Sequence, residues 1–120
     1  MAATRFMDHW HLIVRDGQAD KMLEWLSKNE EPLAEAAPAG LQWIGLYGTV
    51  FGGRDWGWHL FIGLDSYGAM DQLAAAGRDP GSDFGKLLTQ LFSFFIMGDD
   101  APGGRWLHRA APDIVNWGNA

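Results

Sequence analysis

Cysteine is absent from the 120 residues, which excludes disulfides, thiolate metal sites and a cysteine nucleophile together. Basic charge is scarce. Nine Lys and Arg stand against fifteen Asp and Glu, a formal charge of -6, and no basic cluster stands out, so nucleic acid is not an expected partner. The longest apolar stretch, residues 91–98, falls far short of the ~20 residues a bilayer-spanning helix needs. The opening residues, Met-Ala-Ala-Thr-Arg-Phe-Met, lack the apolar centre of a signal peptide. The expectation is a cytoplasmic protein with no membrane partner. No glycine-rich loop joins a strand to a helix and no acidic pair marks a helix face, so most cofactor routes lack their usual residues. No cofactor and no bound metal are therefore expected.

What the chain does hold is apolar bulk, with seven Trp and seven Phe among 48% hydrophobic residues. That is enough for one core in one domain over residues 1–120 and too little for two. Residues 5–15 read as a strand, with Phe6, Trp10, Leu12 and Val14 on one face and Met7, His9, His11 and Ile13 on the other. From Gln18 the period becomes helical to about Ala36, with a kink or interruption expected near Pro32. Residues 41–51 and 56–65 are strands rich in aromatic and β-branched residues, joined by a glycine-led hairpin at 52–55. Ser66 is a candidate N-cap for a short helix and Ser82 for another, with Phe84, Leu87, Leu88 and Leu91 on one stripe. A last strand over 105–110 follows, and the tail from Pro112 carries Ile114, Val115 and Trp117.

The order strand, helix, strand, strand, helix, helix, strand is a β-α-β-β-α-β plan with an extra helix. It predicts an α+β domain with a four-stranded antiparallel sheet and helices on one face. Trp10, Leu12, Val14, Trp58, Leu60 and Ile62 would then leave the other face apolar, which a soluble monomer does not tolerate over several hundred Å². The expected partner is a second copy packed sheet to sheet as a homodimer.

The same plan makes the first and third strands neighbours and gathers the histidines. On residues 56–65, Trp-Gly-Trp-His-Leu-Phe-Ile-Gly-Leu-Asp, His59 shares a face with Gly57, Phe61 and Gly63, the pattern of a small pocket with one polar group. His11 is expected to meet His59 on the helix side of the sheet, in each subunit's own cavity, with Gly57 and Gly63 bordering it. His9 adds a further imidazole, Trp43, Tyr47 and Phe61 the walls, and Tyr47 a proton-bearing hydroxyl.

The chain resembles the dimeric α+β-barrel proteins of ferredoxin-like plan. Within them it is similar to the stress-responsive A/B-barrel family that includes olivetolic acid cyclase. The resemblance is carried by His-Leu-Ile-Val from His11, by Gly57 to His59 within Trp-Gly-Trp-His-Leu, by Asp65-Ser66 before a helix and by Asp79-Pro80 ahead of the helix near Phe84. It implies that His11 and His59 line a substrate pocket. That cyclase's catalytic histidine and its partner tyrosine are not retained, since the aligned stretches are Asp79-Pro80-Gly81-Ser82 and Ala74 to Ala76.

Three functions fit these residues. One is a cofactor-independent enzyme on a small apolar, aromatic or polyketide-like molecule: a cyclase, isomerase, lyase or monooxygenase. Its proton would be moved by imidazole, the side chain suited to that task near neutral pH, with His59, His11 and Tyr47 catalytic and His9, Trp43, Phe61, Gly57 and Gly63 binding substrate. The second is a metal enzyme on His9, His11 and His59, with Asp8 pointing the other way, or a haem enzyme, for which no helix histidine is available as axial ligand. The third is a non-catalytic dimer that binds a small ligand.

Overall fold

A computed structural model describes residues 4–50, 57–97 and 104–111. The hairpin expected at 52–55, most of the loop before the last strand and the tail from Pro112 lie outside them. The elements run β1 (Phe6–Leu12), α1 (Ala19–Ala36), β2 (Leu41–Gly48), β3 (Trp58–Leu64), α2 (Ala69–Arg78), α3 (Asp83–Phe92) and β4 (Arg105–Arg109). All pairings are antiparallel, and the strand order is β2-β3-β1-β4. Some boundaries differ from expectation. β1 stops at Leu12, and beyond it the chain pairs with the exit of α3 through Val14 and Phe95. α1 continues through Pro32 without a break, because one missing N–H does not outweigh the packing of Met22 and Leu33, both buried on the same helix. α2 begins after Gly68, with no side-chain cap, rather than at Ser66.

The register decides which face meets the helices. Trp10 pairs with Leu60, Asp8 with Ile62 and Leu12 with Trp58, so these side chains share a face. Leu12, Leu60, Ile62 and Leu64 are buried there with Met22, Leu33, Phe84, Leu88 and Leu91 from the helices. The face expected to bind a second copy is thus the protein's own core. α3 is set by Ser82, whose hydroxyl accepts from the Gly85 amide at 2.9 Å. Gly85 also permits the close approach of α2, since a Cβ there would lie 2.3 Å from the Asp79 carbonyl and 2.5 Å from that of Ala76.

β2 contains a bulge. Trp43 pairs with Ile62 and Gly45 with Phe61, leaving Ile44 as the extra residue, and Gly45 adopts φ +148°. Simple alternation puts Trp43 and Tyr47 on one face; the bulge separates them. Trp43 turns into the core and Tyr47 outward, opposite His59.

Candidate functional site

The core alternation that buries Leu60 and Leu12 sends their neighbours to the face away from the helices, which no described element covers. His11 lies directly opposite His59 and His9 opposite Phe61, while β4 adds Trp106 opposite His9 and His108 opposite Met7. His11 and His59 therefore do meet across adjacent strands, but on the face away from the helices. The cause is phase: in the central strands the odd-numbered positions carry imidazoles and glycines, and the larger apolar gain comes from burying the even-numbered ones.

The imidazoles form a row. His59 Nε2 is 3.0 Å from Thr49 Oγ1, His59 Nδ1 is 2.8 Å from His9 Nε2, and His9 Nδ1 is 3.2 Å from His108 Nε2. His11 stacks on His59 with ring centroids 4.8 Å apart and planes within 5°. Phe61 stacks on His9 at 4.5 Å, Trp106 tilts against it at 4.9 Å, and Tyr47 meets Phe61 edge-on at 5.7 Å. Burial, followed by mutual repulsion among the imidazoles, holds His9 below the usual histidine pKa, with Asp8 acting weakly in the other direction. His59 is lowered by burial and then by His11. Neutral imidazoles each offer one donor and one acceptor, which a row of N–H···N contacts requires.

Gly57 is bound up with this site. A Cβ placed on it would lie 1.7 Å from His11 Nε2, so the ring occupies the space a side chain would need. Gly63 and Trp43 do not belong to it. They border a separate hollow of about 380 Å³ with Thr4, Gly40, Gln42 and Asp65. Trp43 is buried there, its indole N–H directed at Glu30 Oε2 at 3.4 Å. The row also departs from a ligand set for a metal. His9 directs one nitrogen to each side rather than toward a shared point with His11 and His59, and among the described residues no group of three His, Asp or Glu is placed to hold a metal ion.

On the helix side a cavity of about 270 Å³ does exist, but its lining is Trp10, Ile62, Leu73, Leu88 and Phe92, with Arg78 and Arg105. Asp8 lies beneath the same layer, fully buried. It accepts from Arg105 Nε and Nη2 at 2.8 and 2.7 Å and from the Trp10 indole at 2.9 Å. Arg105 lies over the Trp10 ring at 4.1 Å. The fork ties β4 to β1 and fixes the register that brings His108 to His9.

No protein-family model matches the chain, and no curated protein matches it. Solved structures do. A conserved protein from Methanosarcina mazei Go1 superposes with TM-score 0.58 at 11% identity, over 88% of this chain and 92% of that one. A dimeric protein of unknown function and ferredoxin-like fold from Bacteroides fragilis NCTC 9343 gives 0.52 at 15%, over 88% and 96%. A dimeric ferredoxin-like protein of unknown function from Thermobifida fusca YX gives 0.55 at 15%, over 92% and 95%. The fold is ferredoxin-like. In this ferredoxin-like domain the helices cover one sheet face, and the histidine row crosses the other from the end of β2 to β4. Two members of the row escaped the candidate set drawn from sequence, Thr49 and His108. Both had a signal in strand alternation, His108 in phase with Trp106 and Thr49 in phase with Tyr47.

Proposed function

We propose that the bare sheet face is an acid–base site for a small, flat, largely apolar molecule, and that the protein is a cofactor-independent enzyme moving a proton on an aromatic or polyketide-like substrate. The observation that carries this reading is the 2.8 Å contact between His9 Nε2 and His59 Nδ1, in a row walled by Phe61, Trp106 and Tyr47. Two histidines kept neutral near pH 7 are ready to accept a proton. Cyclisation, isomerisation and lyase chemistry share that step. The likeness to the stress-responsive A/B-barrel family belongs to the same proposal, with imidazoles on β1 and β3 in place of that cyclase's own acid–base pair. A second copy packed on this face would close the site, which is why the protein is proposed to act as a homodimer. The test is hydrogen–deuterium exchange at acidic C–H groups of aromatic β-ketones and β-polyketones in D2O. His59→Ala should slow catalysed exchange about 100-fold or more; exchange at an unchanged rate would overturn the assignment.

The helix-side cavity favours a second reading, ligand binding without chemistry. Its floor is apolar, and Arg78 has no hydrogen-bond or ion-pair partner among the described residues, so the fitting ligand is a small apolar carboxylate. Phenylacetate binding that falls about tenfold or more in Arg78→Met, and is untouched in His59→Ala, would favour this reading.

A further inference from the structure

The row can be ordered in only two ways. A neutral imidazole has one N–H and one lone-pair nitrogen, and His9 uses both of its nitrogens on other histidines. If His9 Nδ1–H donates to His108 Nε2, then His9 Nε2 must accept from His59 Nδ1–H, and His59 Nε2 must accept from the Thr49 hydroxyl. All three rings then carry hydrogen on Nδ1. If His108 Nε2–H donates to His9 Nδ1 instead, every bond reverses and all three rings carry hydrogen on Nε2, with His59 donating to Thr49. Any mixed arrangement sets two N–H groups or two lone pairs against each other and loses a hydrogen bond.

We propose that Thr49, His59, His9 and His108 form one proton relay across the sheet, in which three imidazoles share a single tautomer and switch it together. Starting with hydrogen on every Nδ1, a proton reaches the Thr49 oxygen from a donor as the Thr49 hydroxyl proton passes to His59 Nε2. His59 Nδ1–H passes its proton to His9 Nε2, His9 Nδ1–H passes its own to His108 Nε2, and His108 Nδ1 releases one to water or buffer. Three rings end with hydrogen on Nε2, and one proton has crossed from the donor to the solvent. Reverse flow restores the first state. Thr49 is half-buried and His108 exposed on the edge strand, so His108 is the solvent port. In this scheme Thr49 is the entry, taking a proton from the donor as it passes its own to His59, and His108 is a positioning residue at the exit. Only the existence of a proton donor and the role of His59 as base are taken from the acid–base reading; the tautomer linkage stands on the distances alone.

The experiment uses protein with 15N-labelled histidine and needs no substrate. Long-range 1H–15N spectra at neutral pH should show His9, His59 and His108 in one tautomer, with nitrogen–nitrogen couplings through both N–H···N bonds. Mixed tautomers, or a missing coupling on either side of His9, would overturn the relay. In the exchange assay, His108→Ala should slow turnover about tenfold and recover with imidazole in the buffer, a response that a purely structural histidine does not give. Turnover unaffected by His108→Ala would overturn the port. Because the spectra are independent of any reaction, failure of the relay is read separately from failure of the acid–base assignment, which rests on His59→Ala.

Discussion

Gly57 shows how closely the site is fitted. The His11 ring lies where the Cβ of any other residue would be, and His11 in turn stacks on His59. Gly57→Ala must displace the ring or the strand end, and overpacking of this kind costs about 1–3 kcal/mol. Urea unfolding should register that loss, together with a changed His59 resonance. Gly63→Ala is the control. Its Cβ would meet Thr4 Oγ1 at 2.8 Å, and Thr4 is an exposed side chain that can move, so the cost there should be smaller and the imidazole signals unchanged. Equal losses at the two positions would contradict the packing described.

The titration of the row gives a further expectation. His9 and His59 lie below the usual histidine value in the folded chain, so the unfolded chain binds more protons as the pH falls. Stability from keeping these rings neutral is complete above the unfolded value of about 6.5 and is lost as pH drops toward the lower folded values. The midpoint of urea unfolding should therefore fall between about pH 7 and pH 5, above the ordinary carboxylate range. His9→Phe removes one titrating ring and keeps an aromatic against Phe61, so it should flatten that slope. A slope identical to that of the unchanged protein would mean the imidazoles are not the source.

Among the elements, β4 depends most on a single contact. It is a short edge strand of mostly exposed residues, and Arg105 anchors it through the fork on Asp8. Arg105→Met leaves a buried carboxylate with the Trp10 indole as its remaining side-chain donor among the described residues, a loss of about 3–5 kcal/mol for a broken buried pair. Asp8→Asn keeps the shape without the charge and should cost less. Thermal unfolding compares the two, and His108 should lose its contact with His9 in Arg105→Met even where the domain stays folded. Asp8 was also legible in sequence as a charge in phase with Phe6, Trp10 and Leu12, a position that calls for a buried partner.

Element order and strand pairing could be read from periodicity because a two-residue and a 3.6-residue repeat differ over a few turns of chain. The meeting of His11 with His59 followed from that pairing. The face on which they meet did not, because both sets of positions on β1 carry apolar residues, and the choice falls to the helices, which take Leu60, Ile62 and Leu64. Trp43 was misplaced for a different reason. A bulge shifts the phase by one residue, and Gly45 was its only trace in the sequence.

At the scale of the molecule, a dimer of the proposed kind must use a surface other than the one expected from sequence. The core face is covered by helices, while the opposite face leaves Tyr47 53% and Trp106 47% exposed beside the histidine row. Edge aromatics around half-buried imidazoles form a surface whose centre is better sheltered than its rim, as an interface requires. Packing two such faces about a two-fold axis would enclose the centres of both rows, His9, His11 and His59, and leave His108 on the edge strand at the rim. Sedimentation at micromolar concentration should give twice 13.3 kDa near pH 7.5. Trp106→Glu should shift it to the single-chain mass without unfolding, since the side chain stands outside the core, whereas Leu60→Glu should unfold the chain. Acidification toward the lowered folded values of His9 and His59 adds positive charge to both faces where they meet, so association should weaken as the pH falls toward about 5. A monomer at neutral pH, or a dimer indifferent to Trp106→Glu, would place the bare face in solvent and leave the histidine row open to substrate from one side.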